Sequence, residues 1–285
     1  MVRAVIAGRV APTRRWFRHR TLSALGLAAA VMAPAAALPI TPSRDAVIAV
    51  APRNATPALW EVRDGDTTIY LFGTFHTLDA RTLWFDRSVR AAFDRSGELV
   101  LETIAPTNPS EIRAIGRSIG GERSAPFLVA TRSAIERGRA GGLSLDRGAD
   151  SVLRHAAADQ GMALSGIELF ADQLRTLARI SASPPAPSLA PVEATAPVTL
   201  AGLLAAWKAG DTNAFAAMLA RFEARSPLAY RLLITDRNAL YGDWIAQRLD
   251  LPGTVFVAVG SGHLAGKDSI QNWLSAKGIA ARRIG

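Results

Sequence analysis

The chain has 285 residues, 49% of them hydrophobic and 20% charged, which excludes wholesale disorder and leaves material for one large domain or two small ones. Its net charge of +9 does not mark a nucleic-acid-binding surface. Arg3, Arg9, Arg14, Arg15, Arg18 and Arg20 precede Leu38 with no acid among them, and the remainder holds 27 basic against 24 acidic residues. With no cysteine, disulfides and thiolate chemistry are excluded as well.

Residues 1–37 read as an export signal. An arginine-rich start is followed by the apolar run TLSALGLAAAVMAPAAA and a small-residue cleavage site after Ala37. TRRWF (Thr13 to Phe17) resembles a twin-arginine signal, so the expected location is periplasmic or secreted. The alternative is a retained membrane anchor, but Pro34 interrupts the apolar run short of the roughly 20 residues of a spanning helix. Residues 38–57 are rich in Pro and Ala and read as a flexible tether to a domain spanning 58–285.

In that domain, LWEVRDGDTTIYLFGT predicts two strands joined by a tight turn at Asp64-Gly65-Asp66. A helix is expected over 86–95, stopped by Gly97, and then a strand over Glu98 to Thr103. Helices are predicted over 109–119 and 127–139. Ala149, Val152, Leu153 and Ala156 form an apolar stripe on a further helix, Gly161 closes it, and a strand over 163–167 follows. A helix over 170–180 leads to residues 181–197, whose five prolines predict a linker that is neither helix nor central strand. Residues 200–249 read as helical, with breaks expected at Gly210, Pro227 and Gly242. TVFVAVG is a strand, 268–277 a helix capped by Gly278, and IAARRI a last strand. This alternation predicts an α/β fold, a mostly parallel central sheet flanked by helices, with a helical inserted layer between 109 and 250.

Three histidines follow the leader: His76, His155 and His263. His155 lies mid-helix beside Arg154 and reads as a surface residue. The other two share one pattern, Gly73-Thr-Phe-His76 and Gly260-Ser-Gly-His263, and each glycine ends a strand. Sites in open α/β sheets lie just beyond the strand ends, and glycine there allows close approach of backbone. The two ends of the chain are therefore expected to build one site. Two imidazoles hold a divalent ion best with a carboxylate, leaving positions open for water. Glu102, ending the strand ELVLE, is the first candidate; Glu168, in the same position after ALSGI, is the second. Asp150 opens a helix, where it is expected to complement the helix dipole.

ALWEVRDGDTTIYLFGTFH, ELVLET, GIELFADQL, LLITDRN and VFVAVGSGHLAGKDSIQNWLSAKGIAARRI together resemble the TraB/GumN family across most of 58–285. Its two Gly-x-x-His motifs, acid and Arg-Asn pair fall on Gly73 and His76, Gly260 and His263, Glu102, and Arg237 and Asn238. Its Gly-x-Asp-x-x-Leu and Leu-Glu elements fall on Gly148, Asp150 and Leu153, and on Ile167 and Glu168. The Pro-rich linker departs from the helical connection that the family would have there. The resemblance implies kinship with Tiki, described as metal-dependent proteases, and a fold shared with erythromycin esterases and haem-binding ChaN proteins. Bacterial relatives include a pheromone-shutdown protein and one encoded with exopolysaccharide genes, so the family does not fix a substrate.

The expectation is an exported metal-dependent hydrolase, peptidase-like, acting on a peptide or small-molecule substrate. His76, His263 and Glu102 would bind Mn²⁺, Co²⁺ or Zn²⁺, with Glu102 as ligand or base. Arg237 would stabilise an oxyanion, and Asn238 would orient the substrate or a ligand. One alternative keeps the site without metal, with a histidine as general base and a carboxylate partner. The other is a non-catalytic periplasmic binding or assembly protein for a glycan, peptide or haem-like ligand. No nucleic-acid partner is expected, and a membrane only if the leader is retained.

Overall fold

The computed structural model describes residues 55–85, 87–118, 136, 139, 141–181 and 199–285. The leader, most of the tether, most of the helix expected over 127–139 and nearly all of the Pro-rich linker lie outside these residues. The described residues begin at Ala55, inside the expected tether. The Ala55 amide donates to the Leu83 carbonyl at 2.7 Å and that of Thr56 to the Lys208 carbonyl at 2.8 Å.

Six strands form one sheet: β1 (Leu59–Arg63), β2 (Thr67–Thr74), β3 (Glu98–Thr103), β4 (Ala163–Glu168), β5 (Gly253–Gly260) and β6 (Ala281–Arg283). Their order is β4-β3-β5-β2-β1-β6. The pairs β4-β3, β3-β5 and β5-β2 are parallel; β2-β1 and β1-β6 are antiparallel. The sheet is thus parallel over the four strands that approach the predicted site, as the alternation of strands and helices implied. Its antiparallel edge arises from the hairpin at Asp64-Gly65-Asp66, where the Asp64 side chain accepts from the Thr67 amide at 2.9 Å.

β2 and β5 are nearly continuous in apolar residues because both of their faces are covered. On one face Phe72, Leu99, Leu101 and Phe256 pack with Trp84, Trp207, Phe93 of α1 (Arg87–Asp94) and Leu153 of α3 (Ala149–Asp159). On the other, Ile69, Leu71, Val100, Val255, Val257 and Val259 pack with Tyr241 and Ile245 of α8 (Asp236–Arg248) and with Ile270 and Leu274 of α9 (Ile270–Ala276). A smaller cluster joins α2 (Pro109–Ser118) to α4 (Phe170–Ser181) through Ile112, Ile115, Leu174 and Leu177. Helices α5 (Leu200–Lys208), α6 (Asn213–Arg225) and a single turn, α7 (Pro227–Tyr230), cover the first face.

The breaks expected at Gly210 and Pro227 are present, but α8 runs unbroken through Gly242. A Cβ there would lie 1.9 Å from the Trp273 ring, so the missing side chain lets α8 pack against α9. Glycine's weak helix propensity is overridden by that packing. Among the described residues no helix is long and apolar enough to cross a membrane.

Candidate functional site

β5 enters the sheet between β3 and β2, although almost the whole domain separates it from them in sequence. Thr67 to Thr74 pair with Gly253 to Gly260 residue for residue, so the two Gly-x-x-His motifs leave adjacent strands at the same level. They also interlock. The Ser261 hydroxyl donates to the Thr74 carbonyl at 2.9 Å, and a Cβ on Gly73 would come within 2.9 Å of that hydroxyl. Glu102 and Glu168, at the ends of β3 and β4, complete the row at the carboxyl edge of the parallel strands, where α/β sheets place their ligands.

Glu102 is buried, and both of its oxygens are engaged. The Gly260 amide donates to Oε1 at 2.6 Å and Arg237 to Oε2 at 2.7 Å. Burial pushes this carboxyl up, but Arg237, His263, His76 and the Gly260 amide outweigh it, and the pKa falls to about 2. The salt-bridge partner that its own strand lacks arrives from α8.

Arg237 spreads one cation over four groups. Besides Glu102, its Nε donates to Glu168 at 2.8 Å, and its terminal nitrogens reach the Tyr241 hydroxyl at 2.5 Å and His263 Nε2 at 3.3 Å. The Tyr241 hydroxyl in turn donates to Glu168. Only 6% of Arg237 is exposed, so its donors are committed to this network rather than held open towards a substrate carbonyl.

His263 is also buried. Its Nδ1 lies 2.5 Å from Asn238 Oδ1, and Asn238 Nδ2 donates to the Asp268 carbonyl at 2.6 Å. A main-chain carbonyl only accepts, which turns the Asn238 amide so that its oxygen faces the ring. His263 therefore carries its proton on Nδ1 and presents a lone pair at Nε2 to Arg237. Burial lowers its pKa to about 4, Arg237 and His76 adding to the effect and Glu102 opposing it, so the ring is neutral near pH 7.

His76 sits differently. Its side chain is 19% exposed, and its Nδ1 lies 2.5 Å from Asp150 Oδ2. The carboxylate accepts the Nδ1 proton and leaves Nε2 as the basic nitrogen. Asp150 stands in the first turn of α3, as the helix-dipole reading expects, and its side chain also pairs with His76. Gly148 makes the contact possible: a Cβ there would fall 2.0 Å from the His76 carbonyl oxygen, so only glycine lets α3 start against this backbone. His155, on the same helix, is exposed as expected.

The groups converge on Gly260. The position its Cβ would occupy lies 3.2 Å from Glu102 Oε1, 3.8 Å from His263 Cδ2 and 3.9 Å from His76 Nε2. His76, His263 and Glu102 thus meet as the sequence predicts, but as arranged they do not fit a metal ion. Among the described residues no group of three or more His, Asp or Glu side chains is set to hold one. The physical reason is Arg237, a permanent cation already bound to Glu102 and standing against the Nε2 lone pair of His263.

Sequence reasoning missed Tyr241, the partnership of Asp150 with His76, and the role of Asp268. Tyr241 had a signal: it follows Arg237 by four residues, so both share one face of α8. Asp268 is tied to α8 from two sides. Its side chain accepts from Tyr230 at 2.8 Å and Thr235 at 3.3 Å, bracketing a π-helical turn (Arg231–Thr235), and its carbonyl holds Asn238. Such wide turns recur beside functional sites, where they re-aim the residues that follow.

The model of the TraB/PrgY/gumN family matches residues 58–119 and 113–283, and the chain belongs to that family. No curated protein and no solved structure matches it.

Proposed function

We propose that this member of the TraB/PrgY/gumN family is an exported hydrolase that uses His76 as general base on a peptide or ester bond. One observation carries the reading: the His76–Asp150 pair at 2.5 Å, with the buried Nε2 3.9 Å from the position a Gly260 Cβ would take, beside Glu102. A partly exposed imidazole whose second nitrogen is fixed by a carboxylate has the form of a general base. His76 Nε2 takes a proton from water as the oxygen attacks the carbonyl carbon. The same proton then passes to the departing nitrogen or oxygen as the C–N or C–O bond breaks. Asp150 holds the ring and stabilises its charged state between the two transfers. The network of Glu102, Arg237, Glu168, Tyr241, His263 and Asn238 is the rigid floor beneath this chemistry.

Because the arrangement does not fit a divalent ion, no step in this reading passes through one. Export rests on the leader, residues 1–37, and periplasmic or secreted location is part of the proposal. The test is turnover of a panel of fluorogenic peptides and p-nitrophenyl esters by the purified chain. Hydrolysis by the wild type that drops with His76→Ala and with Asp150→Asn supports the reading. Ligand binding over Gly260 with no turnover of any panel member contradicts it and favours a binding protein.

A further inference from the structure

The helical run from Pro227 to Arg248 is wound wide at one point. Across Arg231–Thr235 it forms a π-turn, and the Asp236 amide donates to the Arg231 carbonyl, five residues back instead of four. The extra residue sets the phase of everything after it. One residue turns an α-helix by about 100°, so an unbroken α-helix would point Arg237, Asn238 and Tyr241 about 100° away from their places in the site. Such turns are rare, and this one is held from outside.

The hold is a single oxygen. Asp268 Oδ2 accepts from the Tyr230 hydroxyl at 2.8 Å and from the Thr235 hydroxyl at 3.3 Å, one residue just before the wide turn and the other its last. Residues five apart on an α-helix stand about 140° from each other round the axis. The wide turn brings them nearer to one side, where one atom reaches both. Tyr230 is buried, with its ring against Phe222, and burial and the bond to Asp268 push its hydroxyl pKa up, so it stays a donor. Asp268 also grips the residue that the turn aims. Its main-chain carbonyl accepts from Asn238 Nδ2 at 2.6 Å, while Asn238 Oδ1 lies 2.5 Å from His263 Nδ1. Asn238 is thus clamped between two residues of one loop.

We propose that Asp268 is a positioning residue: by holding the wide turn it aims Asn238 at His263 and so fixes the proton of that ring on Nδ1. It acts on the ring through Asn238. The side chain sets the phase of α8, and the carbonyl sets which way the Asn238 amide faces. What the side chain supplies is an acceptor oxygen for two hydroxyls, which a carboxamide can supply as well. That this alignment serves turnover rests on the hydrolase reading; the alignment itself does not.

The test is the ring ¹⁵N spectrum of the full, histidine-labelled chain at pH 8, with the His263 signals assigned through His263→Gln. In Asp268→Ala the Nε2–H form of His263 should appear beside the Nδ1–H form of the wild type. Asp268→Asn, whose Oδ1 can accept the same two protons, should restore the wild-type spectrum. Tyr230→Phe combined with Thr235→Val removes those two bonds without touching the loop, should repeat the effect of Asp268→Ala, and decides the matter alone if Asp268→Ala does not fold. A His263 ring still wholly Nδ1–H in the variants that fold would overturn the proposal, as would an Asp268→Asn spectrum altered as much as that of Asp268→Ala. A moved His263 proton in a chain whose wild type turns over no panel substrate would leave the positioning role standing and sink the hydrolase reading. Turnover by the wild type with an unmoved proton in the variants would do the reverse.

Discussion

The two Gly-x-x-His ends differ in what they become. Each histidine follows a strand-ending glycine by three residues, and the two strands lie side by side. His76 meets a carboxylate and keeps 19% of its side chain exposed, its buried Nε2 lying 3.9 Å from the position a Gly260 Cβ would take. His263 meets an amide, is buried, and turns its lone pair to a guanidinium. The same motif therefore yields a carboxylate-paired ring at one end and a buried ring, held by an amide, at the other. The partner decides: a carboxylate takes the Nδ1 proton of one ring, while burial and Arg237 keep the other neutral.

The hardest blow to this division would fall on Arg237. Arg237→Met leaves Glu102 and Glu168 buried without their cation, and a loss of about 3–5 kcal/mol is expected in urea unfolding. A cost near zero would show that the carboxylates do not depend on it. Removing the other partner should leave the fold in place: Asp150→Asn is expected to melt close to the wild type while hydrolysis falls by about 10² or more. An equal fall with Asn238→Ala and none with Asp150→Asn would reverse the roles of the two histidines.

Acid separates the buried end from the exposed one. The folded-state pKa of His263, about 4, lies below the ordinary histidine value near 6.5, so the unfolded chain binds the extra proton between them. Stability from this group is complete above pH 6.5 and is lost as pH falls through about 4. Glu102, lowered from 4.5 to about 2, removes a second share as pH falls from about 4.5 to 2. Melting temperature should thus decline in two overlapping windows, and His263→Gln should flatten the upper one. A wild-type curve level from pH 7 to 4.5 would contradict the buried neutral ring. The smallest expected effect is that of metal: chelation followed by added Mn²⁺, Co²⁺ or Zn²⁺ should leave melting temperature and hydrolysis unchanged. Activity restored only by one of these ions would show that Arg237 yields its place.

Much of this fold was legible because local chemistry agreed with it. Asp64-Gly65-Asp66 marked the hairpin, and the β-branched runs ending at Gly73 and Gly260 marked the strands that meet. The histidine pair and Glu102 were readable for the same reason, as polar residues at strand ends. What failed depended on distance. Gly242 reads as a helix break until Trp273 is set against it. Asp150 and Arg237 each have an ordinary local explanation, and their partners lie far off in sequence: His76 after β2 for the one, Glu102 of β3 and Glu168 of β4 for the other.

The difference between the two histidines is read most directly in a long-range ¹H–¹⁵N spectrum of histidine-labelled protein, followed from pH 8 to 5. Both motif rings should carry their proton on Nδ1 at pH 8, and His263 should keep that neutral form down to pH 5. A His263 ring that takes up a second proton near pH 6.5, or that holds its single proton on Nε2, would contradict this assignment.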